Sequence, residues 1–334
     1  MQARPLGPTG TSVGRLGLGT MTWGRGTDPA EAERQLLDFA AAGGTLVDTA
    51  DVYGEGAAEE ILGSLLEDPG LRRDLVVATK AGLRRSDPRG ERRHDLSRRH
   101  LMAALEGSLE RLGTAYVDLW QVHVWDPATP LEETLSVLGW AVDSGRARYV
   151  GVSNFCGWQL GAVAAKASAR GLAMATVQVE YSLLQRGAER EVVPGAEALG
   201  VGVLPWAPLG RGVLTGKYRH GTPPVSRGAS ETLGATVREY LDAPHRRVVD
   251  AVVLAAEGLG VTPTEVALAW VRDRPGVVAP VVGARTAQQL GAALASESLD
   301  LPQEIRGALD DVSAPILGYP DHGWHQQRTG PSTG

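Results

Sequence analysis

Short runs of apolar residues alternate along the chain with longer segments whose apolar positions recur at the helical period. The short runs predict buried strands, and the amphipathic segments between them predict helices. The predicted strands are 15–19, 45–48, 75–80, 117–123, 148–153, 175–179, 202–206 and 277–283. The predicted helices are 29–42, 57–67, 97–112, 130–144, 157–170, 190–199, 262–274 and 286–295. Eight such repeats predict an α/β fold, a closed (β/α)8 TIM barrel.

The two ends of the chain lie outside this repeat. Residues 1–14 predict an N-terminal β-hairpin, because Gly7-Pro8-Thr9-Gly10 has the composition of a turn. We expect this hairpin to cover the bottom of the barrel. A further helix is predicted near the C-terminus, and residues 314–334 form a tail beyond it. Because no change of composition resembles a linker, residues 1–334 are expected to form a single barrel domain.

Two segments are longer than a minimal repeat requires, 81–96 after the third strand and 207–260 after the seventh. We interpret both as long loops at the active face of the barrel. Helix starts are marked by Asp28-Pro29, Thr129-Pro130 and Thr262-Pro263, where a capping side chain precedes a proline in the first helical turn.

Polar side chains end three of the apolar runs. Asp48, Lys80 and His123 follow the second, third and fourth predicted strands, and Tyr53 follows Asp48 by a short loop. The carboxyl ends of the strands meet at one face of a parallel barrel, where catalytic groups converge. Each residue alone could cap a helix or form an ordinary ion pair. Four of them on successive repeats favour an enzyme.

These four side chains suit the reduction of a carbonyl group. Tyr53 can act as a general acid if a nearby positive charge favours its phenolate, and Lys80 can supply that charge. Asp48 can balance the buried ammonium group and hold it in place. His123 can donate a hydrogen bond to a substrate oxygen and direct it toward the tyrosine hydroxyl.

Composition excludes several other classes of function. The net charge is −6 and no basic block is present, so we expect neither nucleic acid nor a membrane surface as partner. No apolar run is long enough to span a bilayer. A single cysteine, Cys156, rules out an internal disulfide and favours a reducing compartment, so a cytoplasmic location is expected. The partner expected is a small molecule.

Several segments together resemble the aldo-keto reductase family. Residues 48–54 (DTADVYG) resemble its aspartate and tyrosine motif, 78–80 (ATK) its lysine strand, and 121–123 (QVH) its histidine strand. The resemblance continues through 151–155 (GVSNF), 178–181 (QVEY) and 208–217 (PLGRGVLTGK). It extends over about residues 4 to 313, and the ordered series of motifs is far more specific than any one of them.

This resemblance implies reversible, NADPH-dependent reduction of an aldehyde or ketone, with NADH as a weaker cofactor. Hydride would come from the nicotinamide and a proton from Tyr53, with Lys80 and Asp48 as its activating pair and His123 as the carbonyl orienter. One alternative stays open. Relatives of the potassium-channel β-subunit type carry the same motifs, so the protein could be a regulatory subunit that binds NADP(H) with little or no catalysis.

Cofactor phosphates are expected at the loops after strands 7 and 8 of the barrel. No Gly-x-Gly-x-x-Gly segment opens a helix after the first strand, so a Rossmann site is not predicted. Gly210-Arg211-Gly212 can bring backbone amides to a pyrophosphate, with Lys217 nearby. Gly283, Arg285 and Thr286 end strand 8 and open a helix, which favours an anion there, and Arg285 could bind a 2′-phosphate.

The remaining cofactor contacts come from the resemblance alone. It implies that Ser153, Asn154 and Gln178 hold the nicotinamide carboxamide, that Tyr181 stacks on its ring and that Gln289 lies near the adenosine. The other expected contacts are Thr20, Trp206, Pro208 and Leu209. Two departures from the family pattern stand out, Ala292-Ala293 where many relatives carry Glu-Asn, and Trp206-Ala207 where they often carry Tyr-Ser.

Large aromatic residues follow several predicted strands. Trp23, Trp125 and Trp206 are expected to line a flat apolar substrate pocket, although such rings could instead pack loops onto the rim. No metal is expected, since Asp48 and His123 are the strand-end ligand types and Lys80 between them would repel a cation. The oligomeric state and the individual substrate do not follow from the sequence.

Overall fold

Eight parallel strands close into a barrel in the computed structural model, which describes residues 1–84, 94–231 and 233–316. The strands are β1 Ala3–Pro5, β2 Ser12–Gly14, β3 Gly17–Gly19, β4 Leu46–Asp48, β5 Val76–Ala81, β6 Val117–Val122, β7 Ala147–Ser153, β8 Met174–Glu180, β9 Gly202–Trp206 and β10 Val281–Gly283. Strands β3 to β9 pair with their neighbours in chain order, and β10 closes the ring between β9 and β3. The predicted (β/α)8 barrel is confirmed.

Helices cover the outside of this barrel. They are α1 Pro29–Ala41, α2 Ala57–Leu65, α3 Pro69–Asp74, α4 Arg98–Leu112, α5 Leu131–Asp143, α6 Gly157–Ser168, α7 Ala188–Leu199, α8 Gly234–Arg238, α9 Ala243–Leu259, α10 Pro263–Arg272, α11 Ala287–Leu294 and α12 Gln303–Val312. The predicted C-terminal helix corresponds to α12. Of the predicted tail, residues 317–334 lie outside the described residues.

The segment 207–260 is not the long loop that the repeat predicted, because it contains α8 and the 17-residue α9. Asp242 caps α9 by accepting a hydrogen bond from the backbone of His245, and Val252 is among the residues that α9 buries. No single helix in the described residues has the length and hydropathy to cross a bilayer; α9 and α10 meet that test only jointly, across a bend of 104°.

The predicted N-terminal hairpin is present, and it closes the bottom of the barrel. Strands β1 and β2 pair antiparallel, and Leu6 between them is fully buried. Leu6 and Val13 belong to one buried cluster with side chains from the barrel strands, namely Leu46, Ala78, Leu119, Ala175 and Leu204. This end of the barrel is therefore a packed core, which leaves the opposite end for a site.

Two arginines anchor the hairpin to the rest of the chain. The guanidinium group of Arg4 contacts Asp273 at 2.9 Å and the carbonyl oxygen of Val277 at 3.0 Å. Arg15, directly after β2, pairs with Glu297 at 2.9 Å. These partly buried, charge-assisted contacts hold the hairpin against the segments that flank β10.

We predict that Gly7→Ala destabilises the protein. Gly7 has a φ of 59°, and a Cβ atom there would lie 2.0 Å from the carbonyl oxygen of Ala175. Strain and displacement of the hairpin should cost about 2 kcal/mol or more of the free energy of unfolding, measured by urea denaturation. Gly10→Ala is the control, because nothing lies within 4 Å of its Cβ position. Equal stability of the two variants would contradict close packing of the hairpin.

Candidate active site

The four polar residues predicted from the strand ends meet at the carboxyl end of the barrel. Asp48 is the last residue of β4, Lys80 lies near the end of β5, and His123 directly follows β6. Tyr53 begins a short 3-10 helix, Tyr53–Gly56, in the loop after β4. The parallel register of β4, β5 and β6 brings these positions together at the carboxyl end of the barrel.

A buried ion pair lies at the centre of this group. Lys80 Nζ donates to Asp48 Oδ2 at 2.6 Å and to the carbonyl oxygen of Thr49 at 2.7 Å. It lies 3.4 Å from the hydroxyl oxygen of Tyr53. The side chains of Lys80 and Asp48 are 0% and 3% exposed. Such a pair is stable only when its remaining donors and acceptors are satisfied, as these are.

Opposing effects set the acidity of Tyr53. Burial raises the pKa of Tyr53 above its ordinary value, Lys80 lowers it, and Asp48 and Asp51 raise it further. The field of Lys80 therefore acts as the sequence predicted, but burial is stronger and the net shift is upward. Burial by itself would lower the pKa of Lys80, yet Asp48 and Tyr53 raise it. At neutral pH Tyr53 thus carries its proton and Lys80 its charge.

His123 is a neutral side chain at physiological pH. Burial, and then the charge of Lys80, lower the pKa of His123 to about 3. Its ring meets the ring of Tyr53 edge to face, with centroids 6.1 Å apart. A neutral imidazole has one N–H donor, so His123 can donate a hydrogen bond to a carbonyl oxygen beside the tyrosine hydroxyl.

A cavity of about 660 Å³ opens above these residues. Asp48, Tyr53 and His123 line its floor, whereas Lys80 lies behind them. The other predicted residues in its wall are Ser153, Asn154, Gln178, Trp206, Pro208, Leu209, Arg211, Gly212, Lys217, Gly283, Arg285 and Gln289. The structure therefore brings together most of the side chains that the sequence assigned to cofactor and catalysis.

Positive charge is concentrated in one region of the cavity wall. Lys217, Arg227 and Arg285 all line it. Desolvation lowers the pKa of Lys217 and of Arg227, and repulsion from Arg285 lowers both further. In the described parts of the chain, no ion pair joins Lys217 or Arg227 to a carboxylate. Uncompensated cations in a cleft are the electrostatic signature of an anion site.

Arg211 differs from these three cations. Its guanidinium group forms a two-point contact with Glu180, at 2.9 and 3.1 Å, and donates to the carbonyl oxygen of Thr236 at 3.0 Å. Arg211 therefore lines the cavity but is already neutralised, and it ties α8 to the cavity wall through Thr236. Its assignment as a cofactor contact stays a prediction that requires it to leave Glu180 or to contact the cofactor through its backbone.

The amide side chains beside the floor are engaged within the protein. Asn154 donates from Nδ2 to the carbonyl oxygen of His123 at 3.0 Å and accepts from the indole N–H of Trp206 at 3.0 Å. Gln178 donates from Nε2 to Asp48 Oδ1 at 2.9 Å. Trp206 is thus fixed as a flat wall by a bond that a tyrosine at this position, lacking the indole N–H, would not make.

Tyr181 does not line the cavity, contrary to the stacking role that the resemblance implied. It is 1% exposed, its hydroxyl donates to Glu189 at 2.6 Å, and its ring packs against Trp270. The side chain of Tyr181 thus packs among the helices, whereas the ring of Trp206 lines the cavity.

Two predicted pocket tryptophans also lie elsewhere. Trp23 is fully buried and its indole N–H donates to Gln35 at 3.1 Å, so it packs α1 onto the barrel. Trp125 is half-buried at the rim, with its ring against Phe155 and Trp158. Three predicted cofactor residues also do not line the cavity: Thr20, Gly210 and Thr286. The hydroxyl of Thr20 donates to the backbone carbonyl of Asp48, and Thr286 caps α11.

Sequence reasoning missed several residues of the wall. Arg227 comes from a 3-10 helix, Arg227–Ala229, within the segment taken as a loop, and only the fold shows that it faces Lys217. The missed apolar residues of the wall include Met21, Val52, Leu83 and Leu233. Val52 had a usable signal, since it lies inside the motif of residues 48–54. Within the described residues, no group of His, Cys, Asp and Glu side chains could hold a metal ion.

Comparison with known proteins agrees with this geometry. The model of the aldo/keto reductase family matches residues 15–314, which include the whole barrel. The chain belongs to the aldo/keto reductase family. Aldo/keto reductases are oxidoreductases that generally use nicotinamide cofactors, and the resemblance carried by the sequence motifs is confirmed.

Three relatives illustrate the range of the family. The uncharacterized oxidoreductase YrpG of Bacillus subtilis (strain 168) is 38% identical over 320 residues, 93% of this chain and 96% of its own. A probable voltage-gated potassium channel subunit beta of Oryza sativa subsp. japonica is 37% identical, over 87% of this chain and 89% of its own. Versiconal hemiacetal acetate reductase of Aspergillus parasiticus is 30% identical, over 92% and 95%.

We predict that His123 reduces stability in acid. Its pKa is about 3 in the folded protein and about 6.5 when exposed, so the unfolded chain binds a proton that the folded chain does not. The free energy of unfolding should therefore fall as the pH decreases from 6.5 toward 3, with a contribution from His123 of up to about 1.4 kcal/mol per pH unit. In urea denaturation, the free energy of unfolding of His123→Gln should decrease less steeply with falling pH than that of the wild-type protein. Replacement of the exposed His220 by glutamine is the control and should not make this decrease less steep. Equal slopes for the wild-type protein and His123→Gln would contradict the buried neutral state.

Proposed function

We propose that the protein reduces an aldehyde or ketone to the alcohol, reversibly, with hydride from NADPH and the proton from Tyr53. The observation that carries this proposal is the buried contact of Asp48 with Lys80 beneath a protonated tyrosine that faces a cavity. Carbonyl compound, NADPH and a proton would give alcohol and NADP⁺. The family match supports the same chemistry.

Each catalytic side chain has a distinct task in this proposal. His123 donates a hydrogen bond to the carbonyl oxygen and directs it toward Tyr53. Tyr53 transfers its proton to that oxygen, because negative charge develops there during reduction. Lys80, 3.4 Å from the tyrosine oxygen, stabilises the phenolate that remains, and Asp48 keeps Lys80 charged and in position. A proton from solvent then restores Tyr53.

The cavity wall fits an extended dinucleotide, whose nicotinamide would supply the hydride. Ser153, Gln178 and Trp206 line the cavity. In this proposal Ser153 and Gln178 hold the carboxamide, and the ring of Trp206 stacks on the nicotinamide. Lys217, Arg227 and Arg285 supply the charge to bind its phosphates. Gly212 lines the same wall with a φ of 90°, a left-handed conformation that favours glycine and leaves its backbone open to a ligand.

Substrate would occupy the part of the cavity beside Tyr53 and His123. Its other described walls there, Val52, Leu83 and Trp206, are apolar or aromatic. We propose a small carbonyl compound with apolar substituents as the partner, and Trp206 as the member of the predicted tryptophan set that contacts it. The single exposed cysteine, Cys156, supports a reducing compartment, and we propose the cytoplasm.

A second candidate function is regulation by an NADP(H)-binding subunit with little catalysis. The observation that favours it is the 37% identity to a probable voltage-gated potassium channel subunit beta. A steady-state screen of aldehydes and ketones with NADPH, paired with a binding titration followed by tryptophan fluorescence, distinguishes the two functions. Turnover supports the reductase; tight binding without turnover on a broad panel supports the regulatory subunit.

We predict that Tyr53→Phe loses at least about 100-fold in kcat, because the variant lacks the donated proton. NADPH affinity should change little, since the variant retains the ring and the cavity. The control is Tyr149→Phe, which removes a hydroxyl that bonds to Thr11 at the bottom of the barrel. Unchanged turnover in Tyr53→Phe would contradict its role as the acid.

We also predict that Arg227→Ala and Arg285→Ala each raise KM for NADPH about tenfold or more, through loss of charge-assisted contacts with phosphate. If the 2′-phosphate is the group they bind, KM for NADH should change much less. Arg219→Ala is the matched control, because Arg219 pairs with Asp250 and does not line the cavity. Equal loss with both cofactors would assign the two arginines to the pyrophosphate instead.

A further inference from the structure

Gln178 joins the cavity wall to the ion pair beneath it. It lies in β8, is 2% exposed and lines the cavity, and its Nε2 donates to Asp48 Oδ1 at 2.9 Å. The other oxygen of this carboxylate, Oδ2, accepts from Lys80 at 2.6 Å. The two oxygens of Asp48 therefore have separate donors, one from the catalytic lysine and one from the cavity wall.

The Oδ1 atom of Asp48 depends mainly on Gln178 for its hydrogen bond. A second amide, that of Gln121, lies 3.5 Å from Asp48 Oδ1, at the limit of a hydrogen bond, and accepts from the hydroxyl of Thr176 at 3.3 Å. Among the described residues, loss of the Gln178 amide would leave Oδ1 with this long contact alone. A buried carboxylate oxygen without a good donor carries a substantial desolvation cost.

The position of Asp48 in turn determines the surroundings of Tyr53. Lys80 divides its donors among Asp48, Thr49 and Tyr53, so a rotation of the carboxylate would shift the ammonium group relative to the tyrosine oxygen. The charged groups that act on Tyr53 are Lys80, Asp48 and Asp51, and the ring of His123 lies against it.

We propose that Gln178 is a positioning residue for the proton donor: by holding Asp48 it sets the geometry of Asp48, Lys80 and Tyr53. The same side chain faces the subsite proposed for the nicotinamide. One amide therefore contacts both that subsite and Asp48, which supports the acid. This inference rests on the proposed function, because it assigns Tyr53 as the acid.

The chemistry of a primary amide permits both tasks at once. One N–H of Gln178 is donated to Asp48, which leaves a second N–H and a carbonyl oxygen for a carboxamide in the cavity. A glutamate at this position would face Asp48 with like charge, and a methionine of similar length would fill the same space without a donor. Gln178→Met therefore removes the hydrogen bond with little change in packing.

The test places 3,5-difluorotyrosine at position 53 and follows its ionisation by ¹⁹F NMR in the cofactor-free protein. Fluorination brings the titration of the phenol to a milder pH and reports residue 53 alone. Gln178→Met should raise this pKa by about half a unit or more, because the charge of Asp48 loses a donor that compensates it. Gln121→Met, which removes only the 3.5 Å contact, should produce a smaller rise.

Kinetics and binding separate a positioning role from a cofactor contact. At saturating NADPH, Gln178→Met in the unmodified protein should lower kcat and shift its pH profile, besides raising the Kd for NADPH. Gln121→Met should leave that Kd unchanged, because Gln121 does not line the cavity. Gln178→Leu repeats the comparison if the methionine variant is misfolded by circular dichroism.

Two results would overturn the proposal. An unchanged ¹⁹F titration in Gln178→Met and Gln178→Leu, together with weaker NADPH binding, would reduce Gln178 to a cofactor contact. An unchanged pH profile of kcat at saturating NADPH would do the same. Failure of the wild-type protein to reduce any carbonyl compound would instead overturn the proposed function, whatever the titration shows.

Discussion

The buried contact between Lys80 and Asp48 is the interaction on which the site depends. Two charges removed from water at the mouth of the barrel are costly unless each keeps good partners, and here the backbone of Thr49 and the amide of Gln178 provide them. The barrel meets this requirement because β5 and β8 bring Lys80 and Gln178 within hydrogen-bond distance of Asp48 at the end of β4. The hairpin helps to fill the opposite end with a packed apolar core, and the cavity lies at this face.

The fold was largely predictable because each repeat has its own local signal. The apolar strands and amphipathic helices repeat eight times, and the polar residues Asp48, Lys80 and His123 mark the strand ends. Helix α9 was not predicted, because the repeat assigned one helix to each strand and α9 is an insertion. Its capping residue, Asp242, and its spaced valines were present in the sequence but had no place in the repeat.

The side chains of the site were less predictable than its location. Tyr181 and Trp23 follow strands, as true wall residues do, yet both turn into the packed helices. Sequence position gives the end of a strand but not the direction of a side chain in the loop beyond it. Arg227 shows the converse, since a loop arginine distant in sequence comes to face the same cavity as Lys217.

Turnover in a double-mutant cycle of Asp48→Asn and Lys80→Met tests the central claim most directly. Each single variant should lose about 100-fold or more in kcat/KM for the best carbonyl substrate with NADPH, because each disrupts the support of Tyr53. The double variant should lose little more than Lys80→Met alone, since the two residues act as one unit. Losses that multiply would contradict the claim that Asp48 acts through Lys80.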